Sequence, residues 1–185
     1  MPPEALIRDL PAVLYFFVPA YVANMVPVLV RGHFAALALP MDGGRYIGGV
    51  RIFGDHKTWR GFLAGVVAAV LTYAAQRVLY DAGFFHRLAL LDYAATSLVP
   101  GVLMGLGTGV GDAAKSFVKR RVGIAPGESW IGFDQLDFMA GSYLAVAPLY
   151  APPLVATVLA LPIVFAGSVL VTTTAYWLNL KEAWI

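Results

Sequence analysis

No cysteine occurs in the 185 residues, which excludes disulfides and thiolate metal sites. Charge is also scarce: 13% of residues are charged, against roughly 25% in globular chains. The formal net charge is only +2 and there is no basic tail, so nucleic acid is not an expected partner. The three histidines, His33, His56 and His86, are too dispersed to build a zinc site. Asn and Gln occur twice each, a thermolabile-poor composition of the thermophilic kind. Apolar residues fill the space instead, at 59%. A soluble domain of this length has too little interior to hide them.

Four stretches carry no charge: Leu10–Val30, Gly61–Gln76, Tyr93–Gly111 and Phe138–Leu180. A hydrocarbon core of about 30 Å takes roughly 20 helical residues. The first three therefore hold one span each and the last holds two. This predicts an all-α integral membrane protein, a single domain with spans near 10–30, 59–80, 94–113, 133–150 and 154–178. Breaks fall at Gly32, at Asp81–Gly83, in the basic stretch after Asp112, and at Pro152-Pro153. The polar loops are 31–58 and 114–132. Arg31, Arg45, Arg51, Lys57, Arg60, Lys115, Lys119, Arg120, Arg121 and Lys181 then share one side, and only Arg8, Arg77 and Arg87 the other. The positive-inside rule places the amino terminus outside and both polar loops and the carboxyl tail in the cytoplasm.

The chemistry-bearing residues concentrate in Asp42–Arg60 and Asp112–Asp137. Asp112, Lys115, Ser116 and Lys119 fall at i, i+3, i+4 and i+7, one stripe of a helix continuing out of the third span. Just before them, Gly105, Gly107, Gly109 and Gly111 occupy alternate positions, a costly choice unless a neighbouring helix or a ligand must come close. Asp134 and Asp137 are three apart and belong to a span that is long enough only if it includes them. Acids so placed are functional candidates. Together with Asp112 they form a hard oxygen donor set suited to Mg2+. Tyr46–Phe53 reads as a short hairpin turning at Gly48-Gly49. Lys57 and Arg60, three apart at the start of the second span, can aim two cations at one interfacial anion, or simply snorkel.

Gly111-Asp112-Ala-Ala-Lys115-Ser116-Phe117-Val-Lys119-Arg120-Arg121, then Pro126-Gly127, Trp130 and Phe133-Asp134-Gln135-Leu-Asp137-Phe138, resembles the signature of the CDP-archaeol synthases. These form the archaeal branch of the CTP:phosphatidate cytidylyltransferase family, and Lys57-Thr58-Trp59-Arg60-Gly61 is similar to a further block of that branch. Gln135 stands where longer relatives carry Arg between two aspartates, and their Lys-Asp and His-Gly-Gly elements are missing. The resemblance implies a cell-membrane nucleotidyltransferase converting CTP and digeranylgeranylglyceryl phosphate to CDP-archaeol and pyrophosphate. It also implies catalytic roles for Asp112, Asp134, Asp137 and Lys115, with the three aspartates holding Mg2+. Lys57, Arg60, Ser116, Lys119 and Arg120 would bind the substrates. Three other readings stay open: a CDP-alcohol phosphotransferase suggested by Asp42-Gly43-Gly44-Arg45, a cation channel or carrier using Asp134 and Asp137, and a membrane scaffold subunit.

Overall fold

A computed structural model describes residues 3–125 and 128–177. Six helices dominate it: α1 (Pro3–Phe16), α2 (Val18–Leu29), α3 (Trp59–Asp81), α4 (Val99–Arg121), α5 (Phe133–Val146) and α6 (Leu154–Trp177). A two-stranded hairpin, β1 (Tyr46–Ile47) and β2 (Val50–Arg51), stands between α2 and α3. Three stretches are long and apolar enough to cross a membrane: Arg8–Leu29, Trp59–Asp81 and Leu154–Trp177. Their outward faces, among them Leu63, Val67 and Leu71 on α3 and Val155, Val158 and Leu159 on α6, are exposed large apolar side chains that suit lipid contact. The protein is a multi-pass membrane protein.

Helix boundaries depart from the expected spans in ways the sequence explains. The first apolar run is two helices meeting at Phe17, because Pro19 has no N–H for the carbonyl of Tyr15. Gln76 from α3 repairs that loss, its Nε2 donating to the Tyr15 carbonyl at 2.6 Å. The helix expected as the third span, α4, starts at Val99, not 94, and runs past 113 to Arg121, so the second polar loop is confined to the residues after α4. Helix α5 ends at Val146 rather than 150 and has only 14 residues. Five charged side chains near the end of α4 and the shortness of α5 keep both outside the standard for a lone span. They pack against each other instead. Pro126, Gly127, Lys181 and Trp184 lie outside the described residues.

The glycine run explains how closely α4 is packed. Gly101, Gly105 and Gly109 face α3: a Cβ on Gly105 would sit 2.7 Å from the Val66 Cα, and one on Gly109 would strike the Phe62 ring. Gly107 and Gly111 face α5, where a Cβ on Gly107 would collide with the Gly141 carbonyl and one on Gly111 would come 2.7 Å from the Asp137 carbonyl. Ser142 of α5 seals the same seam, donating to the Met104 carbonyl at 3.0 Å and sharing a hydrogen bond with Thr108 at 2.9 Å. Around these contacts lies a core of Phe16, Phe17, Tyr73, Tyr93, Met104 and Phe138, all fully buried. We expect Gly141→Ala to destabilise the protein by about 2–3 kcal/mol or more, as overpacking against rigid backbone does. Gly167→Ala, where a Cβ meets nothing within 4 Å, should leave the melting temperature in detergent unchanged.

The hairpin turns at Gly48-Gly49, both with φ > 0, as a two-residue loop of this hand requires. Asp42 anchors it. Its buried carboxylate accepts from Arg51 Nη2 at 2.8 Å and from the backbone N–H groups of Gly44, Phe53 and Gly54 at 3.0–3.1 Å. Burial alone would raise this carboxyl, but the Arg51 and backbone hydrogen bonds overcome that and hold it well below the usual range. A folded-state pKa depressed in this way contributes stability above the unfolded value of about 3.9, and that stability is lost as pH falls below it. Asp42→Asn should therefore cost about 1–3 kcal/mol at pH 7. Its melting temperature should converge with that of the unsubstituted protein as the buffer is taken towards pH 2.

Candidate active site

Lys57 is positioned from two sides. The loop before it pairs with its own return, Met41 N–H donating to the Lys57 carbonyl at 2.8 Å and Trp59 N–H to that of Leu39 at 3.0 Å. Thr58 then caps α3, its Oγ1 accepting from Gly61 N–H at 3.3 Å. This geometry carries the Lys57 ammonium to Asp112 Oδ2, 2.5 Å away. Arg121 fastens the hairpin beside it, with Nη1 donating to the carbonyls of Arg51 and Ile52 at 3.1 and 3.0 Å. At the start of α5, Gln135 accepts from Gly132 N–H at 2.6 Å and Asp134 Oδ2 from Trp130 N–H at 2.6 Å. Both side chains cap the helix, so Asp134 is fixed before it meets any cation.

The three aspartates of the sequence reading converge, and they converge on Lys115. Its Nζ lies 3.1 Å from Asp112 Oδ1, 2.9 Å from Asp134 Oδ1 and 2.9 Å from Asp137 Oδ2. Lys119 adds a contact to Asp134 at 3.0 Å and donates to the Glu128 carbonyl at 2.5 Å. Three carboxylates thus meet three ammonium groups, Lys57, Lys115 and Lys119, in a largely buried, internally neutral cluster. Among the described residues, no group of three acidic or histidine side chains closes on a common metal position. The carboxylates do fit a hard cation chemically. Asp137, with a side chain only 7% exposed, has a carboxylate oxygen, Oδ1, that accepts nothing.

A cavity of about 930 Å3 opens beside this cluster. Asp112, Lys115, Ser116, Lys119, Arg120, Asp134, Lys57 and Arg60 all line it, while Asp137 stands behind Lys115. Ser116 and Arg120 are buried. The Arg120 guanidinium spends one nitrogen on the Ala125 carbonyl at 3.1 Å and, among the described residues, leaves Nε and Nη1 without hydrogen-bond partners. Lys57 and Arg60 do not aim at a common point: Arg60 Nη1 turns to the His33 carbonyl at 2.8 Å. Asp42 is fully engaged in the hairpin, away from the cavity wall, so the phosphotransferase-like motif at Asp42–Arg45 is architectural.

The sequence reading missed the walls supplied by α2 and α6. Tyr21, Asn24, Met25 and Leu29 from α2 and Ser168, Leu170, Val171 and Thr172 from α6 complete the cavity. One signal pointed there: Asn24 is the only amide in the uncharged run Leu10–Val30.

Fold and site define an integral membrane enzyme with a charged pocket cut into the end of its helix bundle. A family model described as CarS-like, CDP-archaeol synthase, matches residues 6–185. CDP-archaeol synthase of Methanoregula boonei is 35% identical over 90% of this chain and 99% of its own. That of Pyrococcus furiosus is 35% identical over 75% of this chain and 76% of its own. A solved structure described as an intramembrane enzyme for archaeal membrane lipids biosynthesis superposes with a TM-score of 0.63 at 32% identity. That match covers 83% of this chain and 87% of the other. The chain belongs to the CDP-archaeol synthase family. Asp134→Asn should take one carboxylate from Lys115 and leave Lys119 without its carboxylate partner, while leaving the α5 cap largely intact. We expect turnover to fall about 100-fold or more with a loss of stability of about 3–5 kcal/mol, read by product formation and thermal melting.

Proposed function

We propose that this chain transfers a cytidylyl group from CTP to digeranylgeranylglyceryl phosphate, an isoprenoid ether-lipid phosphate, forming CDP-archaeol and releasing pyrophosphate. Family membership carries the reaction. The observation supporting its location is the cavity wall that joins the Asp–Lys cluster of α4 and α5 to apolar side chains of α2 and α6. A water-soluble triphosphate suits the first end, and an isoprenoid chain that stays in the bilayer suits the second.

A phosphate monoester has its second pKa near 6, so the acceptor is already an oxyanion at neutral pH and needs no general base. Its oxygen attacks the α-phosphorus, the bond from that phosphorus to the bridging oxygen breaks, and pyrophosphate leaves with the electron pair. The difficulty is bringing two polyanions together in line, which is a matter of positioning and electrostatics. Asp112, Asp134 and Asp137 would hold Mg2+, which when bound neutralises triphosphate charge and polarises phosphoryl oxygens. Lys115 and Lys119 would neutralise the phosphates and the departing pyrophosphate. Arg120, with two unpartnered nitrogens, is the strongest candidate for a direct phosphate clamp. Ser116 offers a hydroxyl donor from the same helix face, and Lys57 and Arg60 line the same cavity.

The chain would cross the membrane five times, α1 and α2 forming one crossing and α3, α4, α5 and α6 one each. The basic excess of the 31–58 and 114–132 segments supports a cytoplasmic site and an external amino terminus. Purified protein offered CTP, Mg2+ and the lipid phosphate should release pyrophosphate and form CDP-lipid. Asp112→Asn and Asp137→Asn should each reduce that rate by about 100-fold or more. Full activity in both variants would remove the metal assignment, and release of CMP from a CDP-lipid would favour the phosphotransferase reading.

A further inference from the structure

We propose that Lys115 is a tethered counter-cation that keeps the divalent-ion site closed until a nucleoside triphosphate arrives, so that metal and nucleotide bind as a coupled pair. The inference rests on the cytidylyltransferase reading for the identity of the nucleotide.

Three carboxylates from two helices stand within 3.1 Å of one ammonium nitrogen, the place a bound cation would otherwise take. Carboxylates this close in a low-dielectric setting repel one another unless a positive charge lies between them. Lys115 supplies that charge from within the chain. It does not exhaust the donor set, because Asp137 Oδ1 remains buried and unpartnered. A divalent ion entering the cluster must expel the ammonium, since the two cannot share the position. The lysine stem is flexible enough to swing away, but the expelled charge then needs an anion. The cluster offers none: Asp112 is also held by Lys57, Asp134 by Lys119, and Asp137 would be taken by the entering ion. Lys115 does line the cavity, and a triphosphate lying there meets it directly.

Metal alone therefore leaves two surplus positive charges and an unpaired ammonium. Triphosphate alone meets an internally neutral cluster plus Arg120. Each ligand removes the obstacle to the other, and linkage makes the enhancement equal in both directions. The carboxylates stay organised in the empty enzyme, and divalent ions are not captured unproductively.

Titration of Mn2+ into detergent-purified protein without nucleotide, followed by electron paramagnetic resonance, tests this. Lys115→Gln should bind Mn2+ about tenfold or more tightly than the unsubstituted protein, whereas Lys115→Arg, which keeps the charge, should bind as weakly as the unsubstituted protein. With CTP present and no lipid acceptor, Mn2+ affinity should rise about tenfold in the unsubstituted protein and clearly less in Lys115→Gln. If Lys115→Gln is unstable without metal, Mn2+ should raise its melting temperature far more than that of Lys115→Arg. Equal nucleotide-free Mn2+ affinities for the Gln and unsubstituted forms, in a preparation that makes CDP-lipid, would overturn the inference and leave the enzyme reading standing. A preparation that binds Mn2+ as expected but makes no CDP-lipid would overturn the enzyme reading alone.

Discussion

Where α4 comes closest to α3 and α5 it presents glycine, and the charged end of the molecule depends on that. Glycines at alternate positions fall into two i, i+4 rows on different sides of one helix, Gly101, Gly105 and Gly109 towards α3 and Gly107 and Gly111 towards α5. Helices separated by ordinary side chains lie about 8–10 Å apart. Bare backbone lets them come closer. Gly111 is the last of its row and faces the Asp137 carbonyl, and Asp112 is the next residue. The seam that packs the two helices therefore also sets the separation of their carboxylates. These five glycines cost several kcal/mol of helix propensity, which the close contacts and the Ser142 hydrogen bonds offset.

That spacing confers position more than stability. Buried ion pairs seldom gain much over a well-packed apolar core, yet removing one partner leaves a charge stranded at a cost of about 3–5 kcal/mol. In this cluster each aspartate has a lysine within 3.0 Å. The arrangement is consequently all-or-none. It holds as a unit while neutral, and a polyanion accompanied by a divalent cation disturbs that balance less than the polyanion alone. The caps at the start of α5 matter for the same reason. Trp130 N–H and Gln135 fix that helix end before any charge is paired, so the carboxylates do not have to organise themselves.

The sequence alone conveyed features whose cause is local. The stripe Asp112, Lys115, Ser116 and Lys119 follows from helical periodicity, the hairpin from the demand of Gly48-Gly49 for positive φ, and the shared face of Asp134 and Asp137 from their spacing of three on one helix. Features set by partners distant in the chain could not be read there. Nothing near Pro19 announces that Gln76 will repair the break at Phe17. Nothing near Asp42 announces Arg51, so an Asp-Gly motif with a purely structural task resembled a catalytic one. The walls from α2 and α6 were hidden because their residues are mostly apolar, and in a membrane protein apolar residues look alike whether they face lipid or line a cavity. Even the glycine run, visible as an anomaly, did not disclose which glycines met which helix.

The consecutive arginines at the end of α4 show how one basic segment divides its work. Arg121 is consumed by structure: its Nη1 reaches the carbonyls of Arg51, Ile52 and Phe117, and its guanidinium lies 3.7 Å from the Phe117 ring centre. It pins the hairpin to the helix, next to the loop residues Phe53, Asp55 and His56 that line the cavity. Arg120, rotated about 100° around the helix, points inward, is buried, and has nitrogens to spare. Asp42 and Arg121 hold the hairpin from opposite sides, one through the hairpin's own backbone and one through α4. The ammonium groups that line the cavity are already matched to carboxylates. Among the described residues that line it, Arg120 is a buried cation that is not so matched. A phosphate entering this cavity is therefore drawn first to Arg120, and the lysines exchange partners only after it has arrived.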